Sequence, residues 1–325
     1  MNSEQARTSQ RDEQSAISLG FDALPMRVLD AALERINQYI RRTPCTQIPS
    51  IGDEMRLFVK CENEQMTGSF KARGASNAVL SLSPGQAAAG VVTHSSGNHG
   101  AALAWAATLI DVPAHIVMPS NSRPQKIANV QRHKTNPIFC GTSTQERSAA
   151  AAQVQQETGA CMVHPYDQWE VIAGQSTVAA EIIEQLADVD CIVVPVGGGG
   201  LLSGTLARVK QQRPEIRVFA AEPAWADDAS RSLQKGTIQS PTRYDTIADG
   251  LRTQLGTKGF PIIQQHLDEL FLVSESSIKD HAQQLTGRLK TPIEPSAAIT
   301  VAAIKENPVH FENKTVVAIL SGGNV

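Results

Sequence analysis

The sequence predicts an α/β protein built on mostly parallel sheet, and three observations carry that prediction. Short β-branched runs alternate with longer, alanine-rich helical stretches. The most apolar runs, CIVVPV (191–196) above all, show no polar alternation, as expected of strands covered by helices on both faces. Glycine-rich turns follow three of the runs: THSSGNHGAA (93–102), PVGGGGLLSG (195–204) and SGGNV (321–325). In open sheets of this kind, ligands sit at such strand ends.

The elements follow in order. Residues 1–17 are polar and charged without an apolar centre, so a disordered tail is expected there and not a secretory signal. Pro25 opens a helix whose apolar stripe runs Val28, Leu29, Ala32, Ile36, Tyr39 and Ile40, up to the Thr43-Pro44 break. Strands are expected at LFVK (57–60), GVVTHS (90–95), AHIVMP (114–119), NPIFCG (136–141) and CMVH (161–164). Further strands are expected at CIVVPV (191–196), VFAAE (218–222), LFLVSE (270–275) and TVVAILS (315–321). Between them, NHGAALAWAATLI, STQERSAAAAQVQQE and AGQSTVAAEIIEQL are long enough to be helical crossovers. No repeat, heptad or linker marks a domain boundary.

Composition narrows the function. The chain has 325 residues, enough to bury a large core, and its net charge of -3 offers no basic surface for nucleic acid. No apolar run approaches the ~18 residues that cross a bilayer, so no membrane partner is expected. Five cysteines (Cys45, Cys61, Cys140, Cys161, Cys191) form no C-x-x-C pair, which reads as reduced thiols in a cytoplasmic protein.

Three stretches carry chemistry. Gly197 to Gly200 lie between a buried strand and a helix, so their N–H groups can converge on an anion at the positive end of the helix dipole. The loop lacks the Lys-Ser/Thr ending of a nucleotide loop and the G-x-G-x-x-G spacing of a dinucleotide fold, which suits the phosphate of a smaller cofactor. The competing reading is a tight turn. SSGNHG (95–100) offers hydroxyls and N–H groups to a carboxylate at a helix start, or is an ordinary capping turn. In TGSFKARG (67–74), Lys71 is enclosed by Phe70 and small residues, an unusual setting for a lysine whose amine is not a reagent.

Together SFKARGA, THSSGNHGAALA, PVGGGGLLSG, AAEPAWADD, TIADG, IEPSAA and SGGNV resemble, in order and spacing, the fold type II pyridoxal-phosphate enzymes (tryptophan synthase beta-like). Within that group the chain is most similar to the serine racemase and threonine or hydroxyaspartate dehydratase family. The resemblance implies two domains with twisted, mostly parallel sheets covered by helices: a large cofactor-binding domain (18–89 and 167–325) and a small, substrate-closing one (90–166). It implies pyridoxal 5'-phosphate held as an imine on Lys71 beside Phe70. The phosphate would lie on Gly197, Gly198, Gly199, Gly200 and Leu201, with Asn98 at the ring hydroxyl and Ser321 at the pyridine nitrogen. A neutral hydroxyl there favours prompt β-elimination over transamination.

The substrate carboxylate is expected on Ser95, Ser96, Gly97, Asn98 and His99, with Arg147 approaching as the domains close. Lys71 and Ser96 are the expected catalytic bases on opposite faces. The implied reaction removes water from serine, threonine or 3-hydroxyaspartate to give a keto acid and ammonia, with racemisation as a second activity. Glu222, the Ala226 carbonyl and Asp228 are the implied ligands of a magnesium or manganese ion; the plainer reading is a helix cap. A homodimer is implied as well, and a chain ending just after SGGN is expected to lack a regulatory domain. Met66 departs from the lysine that relatives carry near a nucleotide effector, and Tyr166 replaces an asparagine expected near the substrate side chain. Arg252 reads either a second substrate carboxylate or solvent. A β-replacement enzyme of the cysteine-synthase kind and a non-catalytic binding protein are the alternatives.

Overall fold

The computed structural model describes residues 21–49, 55–95 and 97–325; the expected tail at 1–17 and Ser96 lie outside them. Ten strands form two sheets. The larger takes β1 (Cys45–Ile48), β2 (Arg56–Cys61), β7 (Cys191–Pro195), β8 (Arg217–Pro223), β9 (Glu269–Val273) and β10 (Thr315–Leu320) in the order β1-β2-β10-β7-β8-β9. All its pairings are parallel except β1 with β2. The smaller takes β3 (Val91–His94), β4 (Ala114–Pro119), β5 (Ile138–Cys140) and β6 (Cys161–Met162) in the order β5-β4-β3-β6, all parallel.

Burial on both faces explains the unalternating strands. In β7, Ile192 and Val194 point into one apolar layer with the helix Gly200–Gln212, while Cys191 and Val193 point into the opposite layer with the helix Pro295–Glu306. β10 splits the same way, Val317 and Ile319 against Val316, Ala318 and Leu320. The smaller sheet repeats the scheme, with the helix Asn98–Thr108 on one face and Thr144–Thr158 on the other. Side chains of the helix Lys71–Leu80 join the first of these two layers, so the lysine-bearing helix packs against the smaller sheet's core.

Two local expectations change. The helix that Pro25 opens runs Met26–Ile36 and stops before Tyr39 and Ile40, which lie in a turn and a bend. The segment Cys45–Ile48 is a strand that the sequence pattern missed: CTQI has only one buried side chain, because it sits antiparallel at the sheet edge.

One buried charge cluster ties the base of the site together. The Arg73 guanidinium forks onto Glu62 (Nε to Oε2 2.7 Å, Nη2 to Oε1 2.7 Å) and onto Glu181 (Nη1 to Oε1 2.7 Å). Lys60 Nζ donates to Glu181 Oε2 at 2.6 Å and to the Thr43 carbonyl at 2.7 Å. Two buried cations and two buried anions are thus mutually neutralised, which makes the burial tolerable.

Candidate active site

At the carboxyl edge of the larger sheet, motifs far apart in sequence become neighbours. Phe70 N–H donates to the Ser321 carbonyl at 3.1 Å, Gly323 N–H to the Gly68 carbonyl at 3.0 Å, and Ser69 bridges Gly322 antiparallel. Glu294 N–H donates to the Gly322 carbonyl at 3.1 Å. TGSFK, IEPSAA and SGGN therefore form one wall.

Lys71 opens its helix at this wall. Its Nζ donates to the Pro165 carbonyl at 2.7 Å and lies 5.0 Å from the centroid of the Phe70 ring. No carboxylate among the described residues pairs with it, so burial pushes its pKa down to about 8, against a weaker upward pull from Glu294. Burial lowers the pKa values of the nearby imidazoles as well. Burial, then the Lys71 charge, holds His99 well below its ordinary value; its Nε2 meets the Val163 carbonyl at 3.1 Å. Burial lowers His164 to about 4, and its Nδ1 accepts from the N–H groups of Tyr166 (3.4 Å) and Asp167 (2.9 Å). His94 and Tyr166 meet the His164 ring edge-on, at 5.9 Å and 4.7 Å.

The glycine loop is shaped by what presses on it. A Cβ on Gly198 would lie 2.3 Å from Cγ of the Tyr166 ring, and Gly199 adopts φ +82° where the helix Gly200–Gln212 begins. Leu201 is buried in the first turn of that helix. Tyr166 thus covers the loop directly, a contact the sequence did not announce. Gly198→Ala is expected to cost about 1–3 kcal/mol through overpacking, and Tyr166→Ala in the same chain to recover most of it. A double-mutant cycle by urea unfolding reads the coupling, and additive losses would deny the contact.

Asn98 has both ends engaged. Its Nδ2 donates to the two Glu294 oxygens at 3.1 and 3.0 Å, and its Oδ1 accepts from Asn324 Nδ2 at 3.0 Å. Burial raises the Glu294 carboxyl to about 7, opposed by the Asn98 hydrogen bonds. Glu294 is a site residue that sequence reasoning passed over, although the IEPSAA stretch containing it was visible. Ser321 is buried, with its Oγ 3.5 Å from the Ser296 carbonyl. Ser95 Oγ accepts from Gly97 N–H at 3.2 Å and so closes the SSGNHG turn on itself.

Of the other expected residues, Arg147 lies in the first turn of the helix Thr144–Thr158, where its Nε reaches the Ser143 carbonyl at 3.4 Å. Arg252 donates to the Thr246 carbonyl, with Nε at 3.0 Å, and lines a cavity of about 320 Å³ that also contains Arg123, Asp249 and Glu294. Met66 packs against the smaller sheet's core. Glu222, at the end of β8, accepts from the N–H groups of Ala229 (2.7 Å) and Ser230 (2.9 Å). Asp228 begins the helix Asp228–Lys235, and its Oδ2 is buried with no partner among the described residues. Burial raises Glu222 to about 8 and Asp228 to about 7. No cluster of three or more His, Cys, Asp or Glu side chains suited to a metal occurs among the described residues, nor does any helix long and apolar enough to cross a membrane.

Known proteins match this architecture. The chain is 43% identical to serine racemase of Arabidopsis thaliana, over 90% of this chain and 91% of that protein. It is also 43% identical to beta-hydroxyaspartate dehydratase of Paracoccus denitrificans (strain Pd 1222), over 91% and 94%. The solved structure of maize serine racemase superposes with a TM-score of 0.89 at 41% identity, over 92% of this chain and 93% of that one. A family model described as "Pyridoxal-phosphate dependent enzyme" matches residues 36–322, and with the lysine, the glycine loop and the terminal serine on one sheet edge, the chain belongs to that family.

Proposed function

We propose that the protein is a pyridoxal-phosphate-dependent ammonia-lyase that removes water from a β-hydroxy amino acid (serine, threonine or 3-hydroxyaspartate) and yields a keto acid and ammonia, with amino-acid racemisation as a second activity. The observation that carries this reading is Lys71: an amine without an acid partner among the described residues, with its pKa pushed down to about 8, at the meeting point of the strand-end loops. The residues fit the cofactor. Ser69 Oγ and His99 Nδ1 are buried beside Lys71 in sequence or in charge coupling, without partners among the described residues. Bound there, pyridoxal phosphate supplies an electron sink for the breaking Cα–H bond.

The chain's own groups do the rest. Lys71 would hold the cofactor and, as a neutral amine, would take the α-proton. The N–H groups of Gly197 to Leu201 would take the phosphate, Asn98 the ring hydroxyl on giving up a hydrogen bond to Glu294, and Ser321 the pyridine nitrogen. The turn 95–99 receives the substrate carboxylate, with Arg147 as a second cation. Ser96 serves as the base on the opposite face, so Ser96→Ala is expected to lose D/L interconversion while keeping dehydration of the L-substrate. Equal loss of both activities would reject two bases. The two sheets act as units that close on the substrate, which keeps water from the reacting carbons.

Glu222, the Ala226 carbonyl and Asp228 would hold a divalent cation, magnesium or manganese. Their support is the unpartnered Asp228 Oδ2 beside a second buried carboxyl. Magnesium is expected to raise the thermal midpoint of the protein by several degrees and to leave Glu222→Gln unmoved; identical shifts would remove the cation from this loop. We place the enzyme in the cytoplasm as a homodimer, on its five free cysteines and the resemblance. Release of keto acid, screened over L- and D-β-hydroxy amino acids, tests the reaction, and L-serine with added sulfide separates it from β-replacement.

A further inference from the structure

Asp249 and Lys126 form an ion pair of 2.5 Å between the two sheet systems. Lys126 lies on the helix Pro124–Gln131 that follows β4 of the smaller sheet. Asp249 opens the short 3-10 turn Asp249–Leu251, whose backbone lies against Gly197 of the larger sheet's glycine loop. The pair is mostly sheltered, with side chains 19% and 22% exposed. Its position is what matters. The hydrogen of Gly97 that a side chain would replace points at Lys126: a Cβ there would lie 3.4 Å from both Cδ and Nζ of the lysine. The Lys126 ammonium therefore lies beside the backbone of Gly97.

We propose that Lys126, aimed by Asp249, is a binding residue for the α-carboxylate of the amino-acid substrate. The inference rests on the reading of turn 95–99 given above. Asp249 takes one of the three ammonium donors and leaves two for another acceptor. The Asn98 side chain is turned aside onto Glu294, and the first N–H groups of the helix Asn98–Thr108 have no acceptor within the helix. A carboxylate lying between those N–H groups and the Lys126 ammonium would meet positive potential from both sides. Because the pair spans the two sheet systems, the carboxylate that docks there also touches one of the contacts between them.

The test uses the holoenzyme and two ligands that carry no leaving group, glycine and glycinamide, titrated by the absorbance of the bound cofactor. Lys126→Met is expected to weaken glycine about 30-fold, the loss of one charge-assisted hydrogen bond. Glycinamide, which has no carboxylate, should weaken less than about 3-fold, and Lys126→Arg should restore most of the glycine affinity. Unchanged glycine affinity in Lys126→Met overturns the assignment, as does equal weakening of both ligands, which would mark a structural role. Failure of the broader reading looks different: the wild-type protein would then show no cofactor absorbance and no response to either ligand.

Discussion

Lys71→Ala is expected to abolish turnover, by at least about 10³-fold, the scale of a lost general base with the covalent anchor lost besides. Lys71→Arg should not rescue it, because a guanidinium neither condenses with an aldehyde nor gives up its proton at neutral pH. Borohydride reduction of the wild-type holoenzyme should leave a pyridoxyl group on Lys71, found by peptide mass, and none in either variant. A wild-type protein reduced elsewhere, or nowhere, would end this reading. The pKa of about 8 adds a direction. The reactive amine is the unprotonated form, so capture of free pyridoxal phosphate by the apoprotein should quicken as pH rises toward about 8 and level off above it. An ordinary exposed lysine would keep accelerating to about pH 10.

Arg73→Met is expected to be strongly destabilising, at about 3–5 kcal/mol, because it strands the Glu62 carboxylate in the interior and leaves Glu181 with Lys60 as its remaining cation. Glu62 and Glu181 lose their shared guanidinium, and Lys60 reaches only Glu181. In the intact protein, burial would raise the Glu62 carboxyl, but Arg73 outweighs burial and holds it below the usual carboxylate range. A depressed carboxyl contributes stability that is present above its unfolded pKa and lost only as pH falls through the lower folded one. In Arg73→Met the sign reverses: burial is then unopposed by the guanidinium, and the orphaned Glu62 carboxyl binds its proton more tightly than in the unfolded chain. The deficit should therefore shrink as pH drops from about 8 to about 5. Urea unfolding at the two pH values measures it, and a deficit that is small or independent of pH would show that the cluster is not held by charge. Adding Glu62→Leu to Arg73→Met should recover part of the loss, since removing both partners costs less than removing one.

How far the sequence reached depended on the kind of feature. Strands such as Ala114–Pro119 and Thr315–Leu320 were legible because burial on both faces writes itself as an uninterrupted apolar run. Cys45–Ile48 was not, because an edge strand with one buried side chain has no such run. The glycine loop was legible as a loop, yet one cause of its glycines is the Tyr166 ring, thirty-odd positions upstream, and no local pattern carries that information. Glu294 was hidden in the same way, since a carboxylate before a Pro-opened helix reads as a dipole-friendly cap until Asn98 is seen to hold it.

By itself the sequence determined the layered α/β plan, the lysine and the glycine-rich strand ends, because periodicity and backbone conformation are local properties of a chain. Tertiary structure alone decided that Lys71 leans on a carbonyl and not on a carboxylate, that Arg73 is neutralised by Glu62 and Glu181, and that Lys126 lies beside Gly97. Each of these depends on distances between segments far apart in the chain, and electrostatic energy is set by those distances and by the water excluded from between them.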